Sequence, residues 1–503
     1  MTKRLISNVT RRALLGGITS GIAGAAWANA PLTSLRPVRR PDDAASRRPV
    51  ARTNSQKMVD EAGLSGAVAF AVADARTGVV LEGVDTDVPL PPASALKAVT
   101  AVYALDKLGA DYRFRTTVLG TAPVSDGLLD GDLVLVGGGD PVMNTDHLAR
   151  FATRLKEQGV LRVSGDLKVW AGALPFVSSI DPGQPDYVGY SPSVSGINLN
   201  FNRVHFEWKR NGDSYDVAMD ARTEQYKPTV SISRMEVVER RSPVYTYSEG
   251  SDADQWTVAR GALGNGGSRW LPVRKPALYA GDVFLRMLDA EGITVEGDVV
   301  ETTARPRGDV LAERRSPELR LIVRDMLLYS TNITAEAMGM TATAASGQVP
   351  ASLQASGRAM SLWAASKFGV AARFVDHSGL GDASAISPAE MIKILVASGP
   401  NGPLRPLLKT IPMRGEDRRI IGDHPVKVQA KTGTLNFVSA LAGFADAVDG
   451  TDLAFAYFSA DSARRATLTR AQRERPDGGR AWNTRSKKLQ QRLLQRWGRL
   501  YGQ

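Results

Sequence analysis

Apolar residues near the start of the folded part predict a β-hairpin followed by a helix. Two apolar runs, 66–72 and 78–81, flank the polar turn Asp74-Ala75-Arg76-Thr77, as paired strands flank a tight turn. After the break at Pro91-Pro92, residues 94–108 carry apolar side chains at the three- and four-residue spacing of a helix, and Gly109 suits its end. The chain therefore opens with two strands and a helix.

The sequence pattern of the rest of the chain predicts β structure first, then helices, and then β structure again. Short β-type runs with turn signals fill 113–275, and helical spacing follows in 277–291 and 317–370. Three further strands are predicted near the end: Lys427–Lys431, Val438–Phe444 and Leu453–Ser459. This order predicts an α+β domain formed by residues 58–112 and 290–503, interrupted by a β-rich insertion over residues 113–289.

Composition excludes several classes of chemistry. The chain has 503 residues, of which 43% are hydrophobic, and this is enough for large cores. It has no cysteine, which removes disulfides, thiolate metal sites and cysteine nucleophiles. Its four histidines are scattered without ligand-like spacing, so we expect neither a metal nor another cofactor.

The net charge of +11 is concentrated at the two ends of the chain. Residues 1–57 hold 11 Lys and Arg against 2 Asp and Glu, and residues 461–503 hold 12 against 3. The body between them therefore carries a net charge of −7. An acidic body argues against a nucleic-acid partner, which would require a basic folded surface.

The first 28 residues have the parts of an export signal. The paired arginines of Thr10-Arg11-Arg12-Ala13-Leu14-Leu15 precede a modestly apolar Gly/Ala-rich run that ends Ala26-Trp27-Ala28. This pattern resembles the twin-arginine type of signal, and the run is too short and glycine-rich for a membrane anchor. We expect residues 29–57 to form a basic, proline-containing linker and the mature protein to be periplasmic.

The first candidate for chemistry is the pair Ser94 and Lys97, at the start of the predicted helix. Positions three apart share one helix face, so the Lys97 ammonium can approach the Ser94 hydroxyl. A neutral lysine can take the proton that makes serine a nucleophile. Taken alone, the pattern is more typical of a serine that caps a helix.

Two later motifs add candidates. Ser330-Thr331-Asn332 follows a helical stretch and places Ser330 and Asn332 at its end, although a capped turn would look the same. Lys431-Thr432-Gly433-Thr434 joins two strand-like runs, and its glycine would let a substrate backbone approach an edge strand. We expect Lys431 to supply a fixed positive charge that keeps Lys97 neutral. An exposed hairpin is the alternative interpretation.

These three motifs occur in this order in penicillin-binding proteins and class A β-lactamases. The sequence resembles the D-alanyl-D-alanine carboxypeptidase/endopeptidase family of the penicillin-binding-protein-4 type, which is serine-type and of class C low molecular mass. The long interval from Ser94 to Ser330 matches the insertion of that family. Further matching segments are Gly139-Asp140-Pro141, Ser195–Asn202, Tyr279-Ala280-Gly281, Ala335-Glu336, Asp376–Leu380 and Ser387-Pro388.

The resemblance implies a penicillin-binding fold, with an antiparallel sheet flanked by helices, and a serine acyl-enzyme mechanism. Ser94 would attack the D-Ala-D-Ala bond of a peptidoglycan stem peptide, or a D-Ala-meso-diaminopimelate cross-link, with Lys97 as general base. Ser330 would pass the proton to the leaving amine, supported by Asn332. β-Lactams would acylate Ser94 in the same way.

The resemblance also implies a substrate-binding role for the third motif. Lys431, with Thr432 and Thr434, would hold the terminal carboxylate of the substrate beside Gly433. The backbone N–H groups of Ser94 and Thr434 would form the oxyanion hole.

Departures from the family pattern leave two alternatives. Ala95-Leu96 stands where the family usually has Asn-Thr, Thr331 stands where a more polar residue is common, and Gly381 and Ser384 replace Ser and Asn. If Ala95-Leu96 misplaces Lys97, the chain is a non-catalytic binder of muropeptides or β-lactams. A β-lactamase or esterase on the same fold would need fast deacylation.

The basic tail contains a predicted amphipathic helix. Leucine and aromatic residues recur at helical spacing over residues 489–501, with Lys and Arg between them. The favoured interpretation is a terminal helix packed on the sheet, and the alternative is a helix on an anionic envelope surface. Residues 462–485 have few apolar anchors and are predicted to be a solvated linker.

Overall fold

Both ends of the chain contribute to one antiparallel sheet that is covered by helices on its two faces. The computed structural model describes residues 53–347 and 349–502. The predicted export signal, residues 1–28, and the predicted linker up to residue 52 lie outside the described residues. The linker prediction extends too far, because a helix begins at Thr53.

The helices and strands are as follows. The α-helices are α1 (Thr53–Glu61), α2 (Leu96–Leu108), α3 (Thr145–Glu157), α4 (Pro276–Ala290), α5 (Leu319–Tyr329), α6 (Asn332–Ala344), α7 (Leu353–Phe368), α8 (Pro388–Ser398), α9 (Ser462–Ala466) and α10 (Gly479–Leu500). The strands are β1 (Ala67–Asp74), β2 (Val80–Val84), β3 (Arg115–Gly120), β4 (Val124–Ser125), β5 (Leu128–Leu129), β6 (Leu133–Val136), β7 (Arg162–Val163), β8 (Leu167–Trp170), β9 (Arg203–Asn211), β10 (Ser214–Asp220), β11 (Ser233–Val238), β12 (Tyr245–Glu249), β13 (Asp254–Ala259), β14 (Gly266–Pro272), β15 (Thr294–Val295), β16 (Val299–Thr302), β17 (Asp309–Arg315), β18 (Lys409–Thr410), β19 (Lys427–Leu435), β20 (Val438–Asp446) and β21 (Asp452–Ala460).

The main sheet has six strands in the order β18-β19-β20-β21-β1-β2, and all neighbours are antiparallel. Strand β1 pairs with β21 along its whole length, from Ala67 with Ala460 to Asp74 with Leu453. The sequence prediction of two strands at the front and three at the back is confirmed. The α+β fold is confirmed with them.

The central strands are apolar on both faces because helices cover both sides of the sheet. Successive side chains of β1 point to opposite faces. Ala69 and Ala71 pack in a core with residues of α2, α5 and α8, whereas Phe70 packs with residues of α10. The sheet is therefore a buried layer, and the helix that begins beside Ser94 is fixed against it.

Residues between α2 and α5 build the insertion around its own core. Its larger sheets are β16-β8-β6-β3-β17 and β15-β7-β5-β4, and two three-stranded sheets are formed by β9–β14. Strand β17 pairs with β3 from Asp309 with Gly120 to Arg315 with Arg115. We propose to end the insertion after Arg315 instead of at residue 289, because these late strands complete its sheets. Helix α3 also lies in the region predicted to be mostly β.

The C-terminal helix packs its apolar stripe on the sheet, as favoured by the sequence. Leu489, Leu493, Leu494 and Trp497 of α10 are buried in one cluster with residues of β1, β19 and β21. None of the helices described for this chain is both long enough and apolar enough to cross a bilayer.

The segment before α10 is not a solvated linker, and that prediction is wrong. Arg465 is buried, ion-pairs with Asp382 and donates to the Asn436 carbonyl. Arg470 pairs with Asp186 of the insertion at 2.6 Å. These partners are distant in sequence, so a local scan of hydrophobicity gives no sign of them.

Candidate active site

Ser94 lies in a short 3-10 turn that runs directly into α2. The turn spans Ala93–Ala95, and Ala93 has a φ of 45°, in the left-handed region that alanine seldom adopts. Strain of this kind often aims a side chain for function. The Ser94 hydroxyl makes no capping hydrogen bond, so the helix-cap interpretation does not hold. Instead it accepts a hydrogen bond from Lys97 Nζ at 2.9 Å.

Lys97 is fully buried at the centre of the site, and its amine has three acceptors. Besides Ser94 Oγ, these are Asn332 Oδ1 at 2.7 Å and the Ser378 carbonyl at 2.8 Å. Burial lowers the pKa of Lys97 to about 8, although the charges of Glu336 and Asp376 raise it. Lys97 therefore has a readily available neutral form and points at the nucleophile.

The second motif lies where two helices meet. Ser330 ends α5 in the left-handed conformation, with a φ of 60°, and Asn332 begins α6. This break turns the Ser330 hydroxyl toward Lys431 while Asn332 reaches Lys97. Asn332 Nδ2 also donates to the Tyr190 carbonyl at 2.9 Å, so a loop of the insertion contacts the site.

Lys431 is buried on β19, and its ammonium has no carboxylate partner among the described residues. It donates to Ser330 Oγ at 2.9 Å and to the Thr432 carbonyl at 2.8 Å. Burial lowers the pKa of Lys431 to about 6, and the charges of Lys97 and Lys409 lower it further. Burial therefore opposes the fixed positive charge that was expected of Lys431, because it favours the neutral amine.

Gly433 brings β19 directly against the nucleophile. A Cβ at Gly433 would lie 2.6 Å from the Pro92 carbonyl oxygen, 2.9 Å from the Ala95 nitrogen and 3.0 Å from the Ser94 nitrogen. These atoms all belong to the backbone, so only glycine permits this approach. Thr432 and Thr434 flank Gly433 with exposed side chains. The site is thus open to solvent beside Ser94.

A pair of buried carboxylates, Glu336 and Asp376, lies behind Lys97, and neither was predicted as a site residue. Glu336 accepts from the backbone N–H groups of His377 and Ser378, both at 2.9 Å, and Asp376 accepts from those of Gly379 and Gly381. These hydrogen bonds fix the loop that contains Ser378, whose carbonyl oxygen accepts a hydrogen bond from Lys97. A single carboxylate in the otherwise uncharged helix α6 was the available signal.

The five predicted catalytic residues, Ser94, Lys97, Ser330, Asn332 and Lys431, therefore meet in one place. Lys97 links Ser94 to Asn332, and Lys431 links β19 to Ser330. A cavity of about 490 Å³ lies beside this cluster and is lined by residues 329–333 and by the insertion, including Tyr190 and Phe201. Such an arrangement can activate a serine hydroxyl next to a space for a peptide.

One group of described side chains could hold a metal ion, and it belongs to the insertion. The ligand atoms of His205, Glu207 and Asp220 lie within 4.8 Å of one another. The Arg222 guanidinium already pairs with Asp220 at 2.6 Å and with Glu207 at 2.7 Å. A cation would have to displace Arg222, so this group gives no support to metal-dependent chemistry at Ser94.

Comparisons with known proteins agree with this geometry. A sequence model of the D-Ala-D-Ala carboxypeptidase 3 (S13) family matches residues 52–484. A D-alanyl-D-alanine carboxypeptidase of Actinomadura sp. (strain R39) is 29% identical over 439 residues, which cover 80% of each chain. The D-alanyl-D-alanine carboxypeptidase DacB of Haemophilus influenzae is 26% identical over 391 residues, 73% of this chain and 79% of that protein.

The fold also matches a solved structure. Penicillin binding protein 4 (dacB) of Haemophilus influenzae superposes with a TM-score of 0.70 at 20% identity, covering 88% of this chain and 99% of that chain. A structure of the same protein complexed with a β-lactam superposes with a TM-score of 0.65 at 22% identity, covering 81% of this chain and 93% of that chain. The likeness shows that the two proteins share a fold.

Proposed function

We propose catalytic roles for the site on the premise that this chain belongs to the D-Ala-D-Ala carboxypeptidase 3 (S13) family, whose sequence model covers most of its length. The chain is a serine-type DD-peptidase, a hydrolase of peptidoglycan peptides. The observation that carries the assignment of roles is the 2.9 Å contact between Lys97 Nζ and Ser94 Oγ. It joins a nucleophile to a base that can be neutral near pH 8.

Acylation begins when neutral Lys97 takes the Ser94 proton. The Ser94 oxygen forms a bond to the carbonyl carbon of the penultimate D-alanine, and the carbonyl oxygen takes negative charge. The backbone N–H groups of Ser94 and Thr434 stabilise that oxyanion. The C–N bond then breaks, and the Lys97 proton reaches the leaving amine through Ser330, with Asn332 holding Lys97 in place.

The substrate carboxylate binds beside Lys431, Thr432 and Thr434. Because burial lowers the pKa of Lys431 to about 6, an arriving carboxylate raises that pKa and draws a proton onto the amine. Substrate binding and protonation of Lys431 are therefore coupled, and the charge forms only when there is an anion for it to pair with.

Water completes the cycle by attacking the acyl carbon. The ester bond to Ser94 then breaks, the Ser94 oxygen regains a proton, and the shortened peptide is released. A β-lactam follows the first half of this course, since its strained amide opens on Ser94 and its leaving nitrogen stays tethered. The complex of the Haemophilus influenzae protein with a β-lactam supports this reactivity by analogy.

The geometry does not favour the alternative of a non-catalytic binder. That alternative requires Ala95-Leu96 to misplace Lys97. Both residues are buried without exposed surface in the core around α2, and Lys97 keeps its contacts with Ser94 and Asn332. These two substitutions therefore lie in the core and leave the base in contact with the nucleophile.

We further propose that residues 1–28 direct export by the twin-arginine route, so that the mature protein acts in the periplasm. The paired Arg11-Arg12 and the small-residue end at Ala28 support this proposal. Replacing both arginines by lysine is expected to leave the uncleaved protein in the cytoplasm, and continued export of that variant would contradict the route.

Labelling with a fluorescent penicillin, together with D-alanine release from a D-Ala-D-Ala peptide, tests the catalytic assignment. We expect wild type to label and to release D-alanine, and Ser94→Ala to do neither. Ser346→Ala, at an exposed serine distant in sequence from the motifs, serves as the matched control. Labelling of Ser94→Ala would overturn the assignment of the nucleophile, and labelling without D-alanine release by wild type would favour the binder.

A further inference from the structure

A set of basic side chains lies next to the strand that forms one wall of the active site. A cavity of about 540 Å³ is lined by Thr432, Gly433 and Thr434 of β19 on one side and by α10 and the loop after β18 on the other. A second cavity, of about 690 Å³, shares Thr434, Arg418 and Lys487 with the first. We call the two together the basic groove, and its defining residues are Arg414, Arg418, Arg480, Arg485, Lys487 and Lys488.

The basic groove has far more positive than negative charge. Its lining has nine Lys and Arg against three carboxylates. Glu61 pairs with Arg492 at 2.8 Å and Glu474 with Arg269 at 3.1 Å, whereas Glu416 forms no ion pair within the described residues. Within the described part of the chain, none of the six defining residues forms an ion pair. Four of the six come from the basic segment 461–503, and Arg414 and Arg418 of the acidic body add to them from the loop after β18.

Two of these residues are held close together despite their like charge. Partial burial lowers the pKa of Lys487, and the neighbouring Arg418 guanidinium lowers it further. Arg418 has a φ of 68°, in the left-handed region, and its carbonyl accepts from Arg414 Nη1 at 2.8 Å. Charge repulsion opposes this arrangement, and a bound anion would offset that repulsion.

We propose that the basic groove binds the leaving stem peptide of a cross-linked substrate, and so makes cross-links the preferred substrate of this enzyme. The inference rests on the proposed function. When a D-Ala-D-Ala end is cut, the leaving group is D-alanine, which has a single carboxylate beside the scissile bond. When a cross-link is cut, the leaving group is a second stem peptide, which carries further carboxylates beyond that one.

The position of the groove fits this leaving peptide. The carboxylate next to the scissile bond is assigned to Thr432 and Thr434, and both residues also line the basic groove. A leaving peptide that continues past these threonines therefore enters the groove, whereas free D-alanine is too short to reach its far wall. The added charge pairs act only on the longer substrate and raise its kcat/KM selectively.

The experiment compares two substrates on the full mature chain. One is a pentapeptide ending in D-Ala-D-Ala, and the other is a muropeptide dimer joined by a D-Ala-meso-diaminopimelate bond with free carboxylates. The test variant is Arg418→Gln with Lys487→Gln. The control is Arg419→Gln with Lys393→Gln, because Arg419 is 89% exposed, pairs with Asp417 and does not line the groove.

We expect the test variant to lower kcat/KM for the dimer by roughly tenfold, which corresponds to two partly exposed charge contacts, and for the pentapeptide by less than twofold. The control pair should change neither value. Amidation of the leaving peptide's carboxylates should remove most of the wild-type advantage on the dimer. Penicillin labelling of every variant at wild-type rate would show that the fold and Ser94 are intact.

Equal losses on both substrates, or no loss on the dimer, would overturn the inference while leaving the proposed function standing. Absence of penicillin labelling and of D-alanine release in wild type would instead reject the proposed function itself. Vesicles of phosphatidylglycerol provide the competing test. If the test variant cuts the dimer normally but loses vesicle binding, the basic groove contacts membrane and the inference is wrong.

Discussion

Two lysines of the same site are placed in different electrostatic surroundings, and this difference separates their roles. Lys97 has Glu336 and Asp376 behind it, so its pKa falls only to about 8. Lys431 has a hydroxyl, a carbonyl and other lysines around it, so its pKa falls to about 6. Of the two lysines, Lys97 therefore holds a proton more strongly, and a substrate carboxylate beside Lys431 would reduce that difference.

The pH dependence of acylation follows from Lys97. The base must be neutral, so penicillin labelling should speed up as the pH rises through about 8 and level off above it. Burial also raises the pKa of Glu336 to about 8, so the two groups titrate together. In Glu336→Gln the charge that raises the pKa of Lys97 is lost, and the midpoint should move to lower pH. Stopped-flow labelling from pH 6 to 10 measures both, with Glu301→Gln on the insertion as control. An unchanged midpoint in Glu336→Gln would contradict this account.

Lys431 should reduce stability at neutral pH. Its folded pKa of about 6 lies below the ordinary value of 10.5, so unfolding takes up a proton between those values. The free energy of unfolding therefore decreases as the pH falls from 10.5 to about 6, because the unfolded chain gains the proton first. Lys431→Met should therefore raise the free energy of unfolding at pH 7 by about 1 to 3 kcal/mol, with little change near pH 10.5, and should abolish acylation. Urea unfolding at the two pH values checks this, and a less stable variant at pH 7 would refute it.

Among the elements, the edge strand β19 and the turn before α2 act as one unit. Their separation is set by Gly433, whose missing Cβ leaves room for the backbone at Pro92, Ser94 and Ala95. The break between α5 and α6 then supplies Ser330 and Asn332 from a third direction. The catalytic cluster is thus a junction of three element ends.

Gly433→Ala should separate β19 from the nucleophile. The new Cβ meets only backbone atoms, at 2.6 to 3.0 Å, so the strand has to shift and the oxyanion hole opens. We expect penicillin acylation at least tenfold slower with little loss of thermal stability. Gly422→Ala is the matched control, because a Cβ there meets nothing within 4 Å. A labelling rate equal to that of wild type would disprove the close approach.

The sequence predicted those elements whose pattern is local and missed what depends on distant partners. Apolar spacing located α2 and strands β19 to β21, and the three motifs indicated the five residues that are proposed as catalytic and that the structure brings together. The neutral state of Lys431 follows from its burial, which no spacing reveals. The contact of Asn332 with Tyr190 depends on the path of a loop in the insertion, and Arg465 looked solvated because its partner Asp382 is far away in the sequence.

At the scale of the molecule, α10 closes one face of the sheet that carries the site. Trp497 is 2% exposed, and its ring lies 5.6 Å from that of Phe70 and 6.0 Å from that of Phe455. Although α10 is rich in Lys and Arg, its apolar side thus belongs to the core of the domain that contains the main sheet.

Trp497→Ala should lower the free energy of unfolding by about 3 to 5 kcal/mol through the cavity it leaves. Because α10 packs on the face of the sheet opposite α2, the folded fraction should still label with penicillin at a normal rate. Thermal unfolding with parallel labelling checks both parts. Leu500→Ala, at a 38% exposed position of the same helix, should lose less than about 1 kcal/mol. A similar loss in both variants would show that Trp497 is not the anchor.

The pairing of β1 with β21 has a consequence for timing during synthesis. Strand β1 pairs early with β2, but its second neighbour, β21, exists only when residue 460 has been made, and contacts so distant in sequence form slowly. A nascent or truncated chain that ends before β19 also lacks Lys431 and Gly433, so it has the serine without the site. Penicillin should therefore label only chains that have been completed and folded. A peptidoglycan hydrolase built in this way stays inactive until its last strand has paired.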